Sequence, residues 1–324
     1  MPFIGRGYSF LGAILGHFLF HLPGSWLGPL GEGVLPFYQK LFDGLDERGI
    51  AWDTCVLDRE KVMGQVGNDD AFHIVNHGRF QHSRILNSGI AYVYPFWNMD
   101  PVGIRAFSSI ADTSFHASEV DGEIARPFFR RLRQRLAVGR TSRYEQPDVV
   151  AELPTGSVAV FLQSEGHRIV GETCYLDRWQ MVEGVLAVVD GPVVIKPHPR
   201  DRDTETIKRL TQLCSEHPNL TISDANIHDI LSAADHVVTI NSAVGIEAYL
   251  HRKPVILCGK SDFHHIAQVA HNAQELGRFL RQEKRAKAYD KYVYWYFAQQ
   301  CLSTVEPDLI DRFLQRVTAQ GYEV

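Results

Sequence analysis

Short apolar runs alternate with amphipathic stretches along nearly the whole chain, and this constrains the fold more than any other feature. The runs FLFHL (18–22), FHIVNHG (72–78), SVAVFLQ (157–163), VVIK (193–196), HVVTI (236–240) and PVILCG (254–259) are too short for buried helices and read as strands. IAWDTCVL (50–57), IAYVYPF (90–96, ending at Pro95) and LTIS (220–223) read as further strands. Helical periods stand between them. Phe37, Leu41 and Leu45 recur every four residues, with Gly49 as the stop. Tyr175, Trp179, Val182, Leu186 and Val189 form an apolar stripe across a helix expected at 172–189. Asp203 is a fitting N-cap for a helix at 204–215 that turns Ile207, Leu210 and Leu213 inward. IHDILSAA (227–234) and a short stretch from Gly245 are the last helices of the series. Strand–helix alternation of this kind requires parallel sheets covered on both faces, so the fold class is α/β.

A chain of 324 residues holds two Rossmann-sized domains. The polar stretch 145–154, with prolines near both ends, marks the boundary. Residues 1–150 then form an N-terminal domain and 151–290 a C-terminal one. The aromatic-rich tail, 291–324, is expected as a helical segment packing across the two. A formal net charge of -5 provides no positive field for nucleic acid. The 5 cysteines are scattered without a CxxC pair, and the 15 histidines do not stand at metal-ligand spacing. This predicts a reducing compartment and no metal. The apolar run 8–20 follows Arg6 but is short for a membrane span and lacks a small-residue cleavage site. Its end, Phe18 to Leu22, is therefore read as the first strand of a cytoplasmic protein. Between residues 125 and 143 stand Arg126, Arg130, Arg131, Arg133, Arg135, Arg140 and Arg143, with no acid among them. They make either a solvated helix face or a basic surface for a peripheral anionic membrane or an anionic acceptor.

In an open α/β sheet, ligands sit beyond the carboxyl ends of the strands, and the polar residues gather there. KPHP (196–199) follows the strand VVIK. Its prolines hold the loop extended, and Lys196 and His198 are candidate donors to a phosphate, His198 also to a departing one. In TINSAVGIEAYLHRKPVILCG (239–259) a strand ends in Asn241, Ser242, Ala243, Val244 and Gly245, and a helix begins. Helix N-termini bind phosphate, small residues permit close approach, and Glu247 on the first turn is placed for ribose hydroxyls. Taken alone, Ser242 and Glu247 also read as a helix cap. DANIHDILSAAD lies between the two motifs and brings Ile227 and His228 toward a base edge. LQSEGHR (162–168) carries Glu165, a candidate nucleophile or base. In the first half, His21, His77, Arg79, Trp97, Asn98 and Asp100 sit where strands end. Aromatic faces and amides there suit a sugar acceptor. His73, among apolar neighbours, reads as a core histidine.

KPHP, followed by a helix and then HVVTINSAVGIEAYLHRKPVILCG, resembles the capsule polysaccharide biosynthesis family, which includes bacterial β-Kdo transferases. The resemblance is best over 157–263 and weaker over FLFHLP, HGR and WNMDPVGIRAFSSI. It implies a GT-B fold, two Rossmann-like domains facing a central cleft, and a CMP-activated sugar such as CMP-Kdo as donor. It implies that His198 and the turn 242–245 hold the CMP phosphate and that Glu247 contacts the ribose. The acceptor would be a glycolipid or polysaccharide. The chain departs from the family in LQSEGHR. There His167 stands where an aspartate is expected, leaving Glu165 as the candidate carboxylate and the stereochemical outcome open. Other CMP-linked transfers (sialyl or glycerol-phosphate), a nucleotide-sugar epimerase and a non-catalytic nucleotide-binding assembly protein are the alternative readings.

Overall fold

The computed structural model describes residues 16–28, 32–163, 174–201, 203–283 and 285–324. In it the alternation resolves into two six-stranded sheets, one in each of two compact units. The first unit takes Met1–Ser109 and the chain from Phe297 to Val324, and the second takes Ile110–Tyr296.

In the first unit, β1 (His17–Leu22) lies between β2 (Ala51–Val56) and β3 (Phe72–Asn76), parallel to both. Helix α1 (Pro36–Glu47) crosses from β1 to β2. Proline at its first turn lacks only an N–H that the helix would leave unbonded, and Gly49 adopts φ +66 beyond its end. Phe37, Tyr38, Leu41, Phe42 and Leu45 bury one face of α1 against Phe18, Phe20 and Trp97. Helix α2 (Val62–Asn68) covers the other side through Val62 and Val66.

Where the strand IAYVYPF is expected, the chain instead turns. Strand β4 (Ile85–Ile90) runs antiparallel to β5 (Phe96–Asp100), and residues 91–95 join them. The strands carry buried Asn87, Ser88, Asn98 and Asp100, so an apolar-run criterion passes over them, while Pro95 has no N–H for a ladder. Asp100 closes the sheet end. Its carboxylate accepts from the backbone N–H of Val102, Gly103 and Ser109 and from the Ser109 hydroxyl at 2.6 Å.

The second unit begins with α3 (Gly122–Arg133), capped by Asp121 and continued by a π turn over Gln134–Val138. Its sheet comprises β6 (Ser157–Phe161), β7 (Val193–Lys196), β8 (Leu220–Ile222), β9 (Ala234–Thr239), β10 (Val255–Leu257) and β11 (Gln268–Val269), all parallel, in the order β8-β7-β6-β9-β10-β11. The chain starts in the middle, winds outward to β8, then crosses back to β9. This puts a topological switch point between β6 and β9, where open sheets of this kind take their ligands.

The covering helices are α4 (Arg178–Leu186), α5 (Thr204–Glu216), α6 (Ile227–Ala233), α7 (Ala243–Leu250), α8 (Ala273–Leu280) and α9 (Tyr289–Tyr294). Helix α4 starts later than the stripe suggests because Asp177 and Gln180 form a capping box there. Asp203 caps α5 as expected, but Ile207 is 57% exposed. The buried positions are Thr206, Leu210 and Leu213, spaced four and three apart, which leaves Ile207 off that face.

The units divide the chain differently from the expected boundaries. Residues 110–150 fall in the second unit, held by the Lys291 ammonium on the Ala117 carbonyl, Arg252 over Phe129 and Arg140 paired with Asp229. The tail from Phe297 belongs to the first. There β12 (Leu302–Ser303) pairs with β5, and α10 (Leu309–Thr318) sends Leu309, Phe313 and Val317 into the core with Phe18 and Phe20.

The clamp at the end of β5 yields a stability test. Asp100→Ala removes a charged acceptor of four hydrogen bonds and is expected to cost about 3 kcal/mol or more in urea unfolding. A loss below about 0.5 kcal/mol, the range of ordinary surface changes, would show that the carboxylate does not hold the 101–109 loop.

Candidate functional site

The carboxyl edge of the second sheet gathers three segments around the switch point. The first follows β7. Asp201 pairs with Arg178 at 2.8 Å, with both side chains largely buried, and this fixes the loop against α4. Within that loop the His198 Nδ1 accepts the Arg200 backbone N–H at 3.1 Å. A neutral imidazole accepting at Nδ1 carries its proton at Nε2. Lys196 departs from its expected part. Only 8% exposed, it donates to the carbonyls of Asp224 and Ala225, each at 2.8 Å. It ties the β8–α6 loop to β7 rather than reaching outward, and burial lowers its pKa.

The second segment follows β9. Ser242 caps α7, its hydroxyl accepting from the Val244 N–H. The helix thus starts at Ala243, two residues before the expected Gly245. The N-terminal dipole of α7 favours an anion at this edge. Gly245 serves packing. A Cβ there would meet the Phe263 ring at 2.9 Å, so glycine is what lets α7 lie on that ring. Asn241 donates its backbone N–H to Gln163 Oε1 at 3.0 Å and its side-chain amide to the Lys260 carbonyl. The first of these bonds joins the loop after β6 to the turn after β9 across the switch point. The Asn241 Oδ1 is buried and has no partner among the described residues, an acceptor that a ligand's N–H or O–H would satisfy.

The third segment, 140–149, joins the end of the arginine-rich stretch to the start of the expected boundary at 145–154, and it is bonded along this edge. The Arg140 guanidinium grips both carboxylate oxygens of Asp229, at 3.0 and 2.8 Å. Asn226 Nδ2 donates to the carbonyls of Arg140 and Pro147. Ser142 Oγ donates to Glu247 at 2.6 Å. The Tyr144 ring meets His198 edge to face at 5.3 Å, with Arg143 and Arg200 over its own face. Gln146 Oε1 accepts the Ile227 N–H at 3.1 Å. Arg140, Ser142, Tyr144 and Gln146 carried no periodic or motif signal that would have marked them. The one available hint was seven arginines without a matching acid nearby, which implied acids elsewhere in the fold.

His228 does not face a base edge. It is 2% exposed, lies 2.9 Å from the Thr141 carbonyl through Nε2 and 2.9 Å from His251 Nε2 through Nδ1. Because a carbonyl only accepts, the His228 Nε2 is the donor, and Nδ1 accepts from His251. Burial lowers the pKa of His228 and takes that of His251 down to about 3. Glu165, with His167 and Arg168, lies outside the described residues.

The residues expected to meet an acceptor fall mostly inside the first unit. Trp97 is 1% exposed and stacks on Phe37 at 4.4 Å, so its face is taken by the core. Asn98 is fully buried and accepts the Arg105 N–H, and Asp100 is the loop clamp. His21 is fully buried, 2.8 Å from His73 and 3.3 Å from the Cys55 sulfur; burial takes its pKa down to about 4. His73 is in the core as expected. His77 is half-buried at φ 49, and Arg79 is exposed, its guanidinium 3.6 Å from the Phe107 ring centre. Of the six, His77 and Arg79 keep accessible surface.

Two α/β units with parallel-rich six-stranded sheets, the second in the 3-2-1-4-5-6 order, have the architecture of the GT-B fold. Solved structures agree in fold. Similar to this chain are the β-Kdo 2,7 transferase of Thermosulfurimonas dismutans KpsC (14% identity, TM-score 0.55, 94% of this chain and 99% of that one) and the β-Kdo 2,4 transferase of the same protein (13% identity, TM-score 0.51, 87% of this chain and 90% of that one). Residues 186–302, a stretch that includes both KPHP and NSAVGIE, match the model of the family described as capsule polysaccharide biosynthesis protein. No curated protein matches the chain.

Glu247 supplies a pH test. It is 2% exposed, and burial raises its pKa from 4.5 to about 7, with the Ser142 hydroxyl acting the other way. Between about pH 4.5 and 7 the folded chain keeps a proton that the unfolded chain has released. Stability from this group therefore falls as pH rises through that window, and the loss, about 3 kcal/mol, is complete above it. Glu247→Gln is expected to be more stable than the parent at pH 8 and nearly equal to it at pH 5, read by urea unfolding. An advantage of the same size at both pH values would refute the shift.

Proposed function

We propose that this protein transfers a sugar, Kdo, from a CMP-activated donor to a glycolipid or polysaccharide acceptor in capsule or surface-polysaccharide synthesis. One observation carries the reading. His198, the start of α7 and Asn241 converge on the carboxyl edge of one parallel sheet, and Gln163 bonds across its switch point. In this reading the donor phosphate lies against His198 Nε2–H and the α7 N-terminus, and Glu247 takes a ribose hydroxyl. As the sugar–phosphate bond breaks, negative charge grows on departing CMP. A preorganised donor and a helix dipole stabilise that charge without waiting for solvent to reorient. Lys196 acts indirectly, by holding the loop that carries Asn226 and Ile227. Glu165 is the candidate base for the acceptor hydroxyl, and His77 and Arg79 are the candidate acceptor contacts. The reading places a hydrogen-bond donor and a helix dipole at that growing charge and calls for no metal.

The test is a thermal-shift panel of CMP, UDP, GDP and ADP, since a ligand that binds only the folded state raises its stability. CMP is expected to stabilise selectively. His198→Ala should slow transfer by about two orders of magnitude or more, the worth of one donor to a transition-state charge. Glu165→Gln should keep the CMP response and abolish transfer. Stabilisation by UDP alone, or an unchanged rate in His198→Ala, would remove the CMP assignment or the histidine's role.

We also propose that α3 rests on an anionic membrane surface. Arg126, Arg130, Arg131 and Arg133 are exposed along it with Ile124, and Arg135 and Val138 are exposed on the π turn that continues it, a pairing of charge and apolar tips suited to an interface. Among the described residues no helix is long and apolar enough to cross a membrane. Co-sedimentation with vesicles containing an anionic phospholipid should exceed that with zwitterionic vesicles and fall when Arg130 and Arg131 become Gln. Equal binding to both vesicle types would discard the surface.

A further inference from the structure

Residues 142–146 do more than cross the candidate site. We infer that this strap stands in for the nucleotide, contact by contact, and that donor binding displaces it. The inference rests on the functional reading above, which assigns Glu247 to a ribose, and on the expectation from the sequence that Ile227 stands toward a base edge.

Three side chains carry the correspondence. Ser142 places a hydroxyl on the Glu247 carboxylate at 2.6 Å, the bond a ribose hydroxyl would make. Gln146 places a carboxamide oxygen on the Ile227 N–H at 3.1 Å, as the carbonyl of a pyrimidine would. Tyr144, between them in sequence, sets its ring edge to face against His198 at 5.3 Å, where the reading puts the phosphate. A buried carboxylate needs a partner, and so does a backbone N–H at a helix start. The strap meets both needs in the ligand-free chain, and a bound nucleotide would meet the same needs with its own atoms. The two cannot occupy one place.

The strap is built to move in the middle and stay fixed at its feet. At one foot Arg140 grips Asp229 with two hydrogen bonds and its carbonyl accepts from Asn226. At the other, the Pro147 carbonyl accepts from the same Asn226, and the Ala151 N–H donates to Asp229. Both feet therefore stand on α6 and its cap. Between the feet, Ser142 and Gln146 each reach the site through a single hydrogen bond and Tyr144 through its ring, which meets His198 and lies under the Arg200 guanidinium. Arg140 itself adopts φ 51, so the chain turns sharply out of the π turn before the strap begins. Closing the strap lowers apparent donor affinity by the fraction of molecules that are open, and its return after transfer competes with spent nucleotide for the same groups.

The test compares CMP binding by calorimetry in the wild-type chain and in the Ser142→Ala/Gln146→Ala double variant, with hydrogen exchange of the wild-type chain as a measurement that needs no variant. The double variant is expected to bind CMP about tenfold tighter, the effect of no longer breaking two ordinary hydrogen bonds. In the wild type, amides of 142–146 should exchange faster once CMP is bound, while those of 226–229 should not. Equal or weaker CMP binding by the variant, or slower exchange of 142–146 with CMP, overturns the inference, since either result makes the strap part of the bound site. If UMP binds in place of CMP, the cytidine reading fails, and the same comparison made with UMP decides the strap. A chain that takes no nucleotide in either form overturns both.

Discussion

Everything at the candidate site depends on the parallel pairing of β6 with β7 on one side and β9 on the other. Parallel strands point their carboxyl ends the same way, so the loops after β6, β7 and β9 must emerge at one edge. Because the chain reverses its winding between β8 and β9, the loops after β6 and β9 diverge to opposite faces, and an opening forms between them. The apolar runs SVAVF, VVIK and ADHVVT enforce this arrangement. Strands buried on both faces have few polar alternatives, and their side chains fill a core with Met181, Val185, Leu210 and Ile256. Sequence separation then ceases to matter. Gln163 and Asn241, 78 residues apart, share a hydrogen bond because their strands are neighbours.

At such an edge a polar residue can face a ligand or can secure the loops that do, and the sequence does not separate these roles. Lys196, His228 and Asp100 each carry chemistry that reads as ligand contact, and each is spent inside the protein. The reason is common to all three. Loops at strand ends bury carbonyls and N–H groups that no ladder satisfies, and leaving one unpaired costs more than an ordinary hydrogen bond returns. A lysine with two carbonyls, an aspartate with four donors and a histidine between a carbonyl and a second histidine are solutions to that problem. His198 stands in the loop after β7, where its Nδ1 accepts from the Arg200 N–H.

What was legible from the residues follows the same division. Five of the six strands of the second unit (all but β11), the caps Asp203 and Ser242, and the order of the KPHP and NSAVGIE motifs were readable, since apolar runs and capping residues act locally. The β4–β5 hairpin was not, because its strands hold buried Asn and Asp, which interrupt the apolar runs by which a strand is recognised. Nor was the membership of residues 110–150 in the second unit. Polar, proline-bounded segments read as linkers, and only the fold reveals that Asp229 and Asn226 stand ready to bond this one. Ile207 was placed inward by a spacing of three and three, whereas the buried face of α5 follows four and three.

Clustered histidines alone do not locate chemistry, and the first unit makes this plain. There Cys55, His21, His73 and Asp69 form a continuous chain of contacts that looks like a nucleophile with its relay. The proton positions argue otherwise. Asp69 accepts from His73 Nε2, which leaves His73 Nδ1 to accept from His21 Nε2, which leaves His21 Nδ1 to accept from the thiol. Every donor has one acceptor and both rings are neutral. Burial pushes the Cys55 thiol up to about 11 and His21 down to about 4, so moving the proton from sulfur to ring would create two charges in a place that disfavours each. This chain is a satisfied polar seam beneath α2. The seam in the second unit ends differently. It closes on a carboxylate held by a single serine hydroxyl and on an Asn241 oxygen with no partner among the described residues. In the second unit the open acceptor of Asn241 stands at a strand end beside a helix N-terminus, and that pairing, rather than the density of ionisable groups, marks where a ligand belongs.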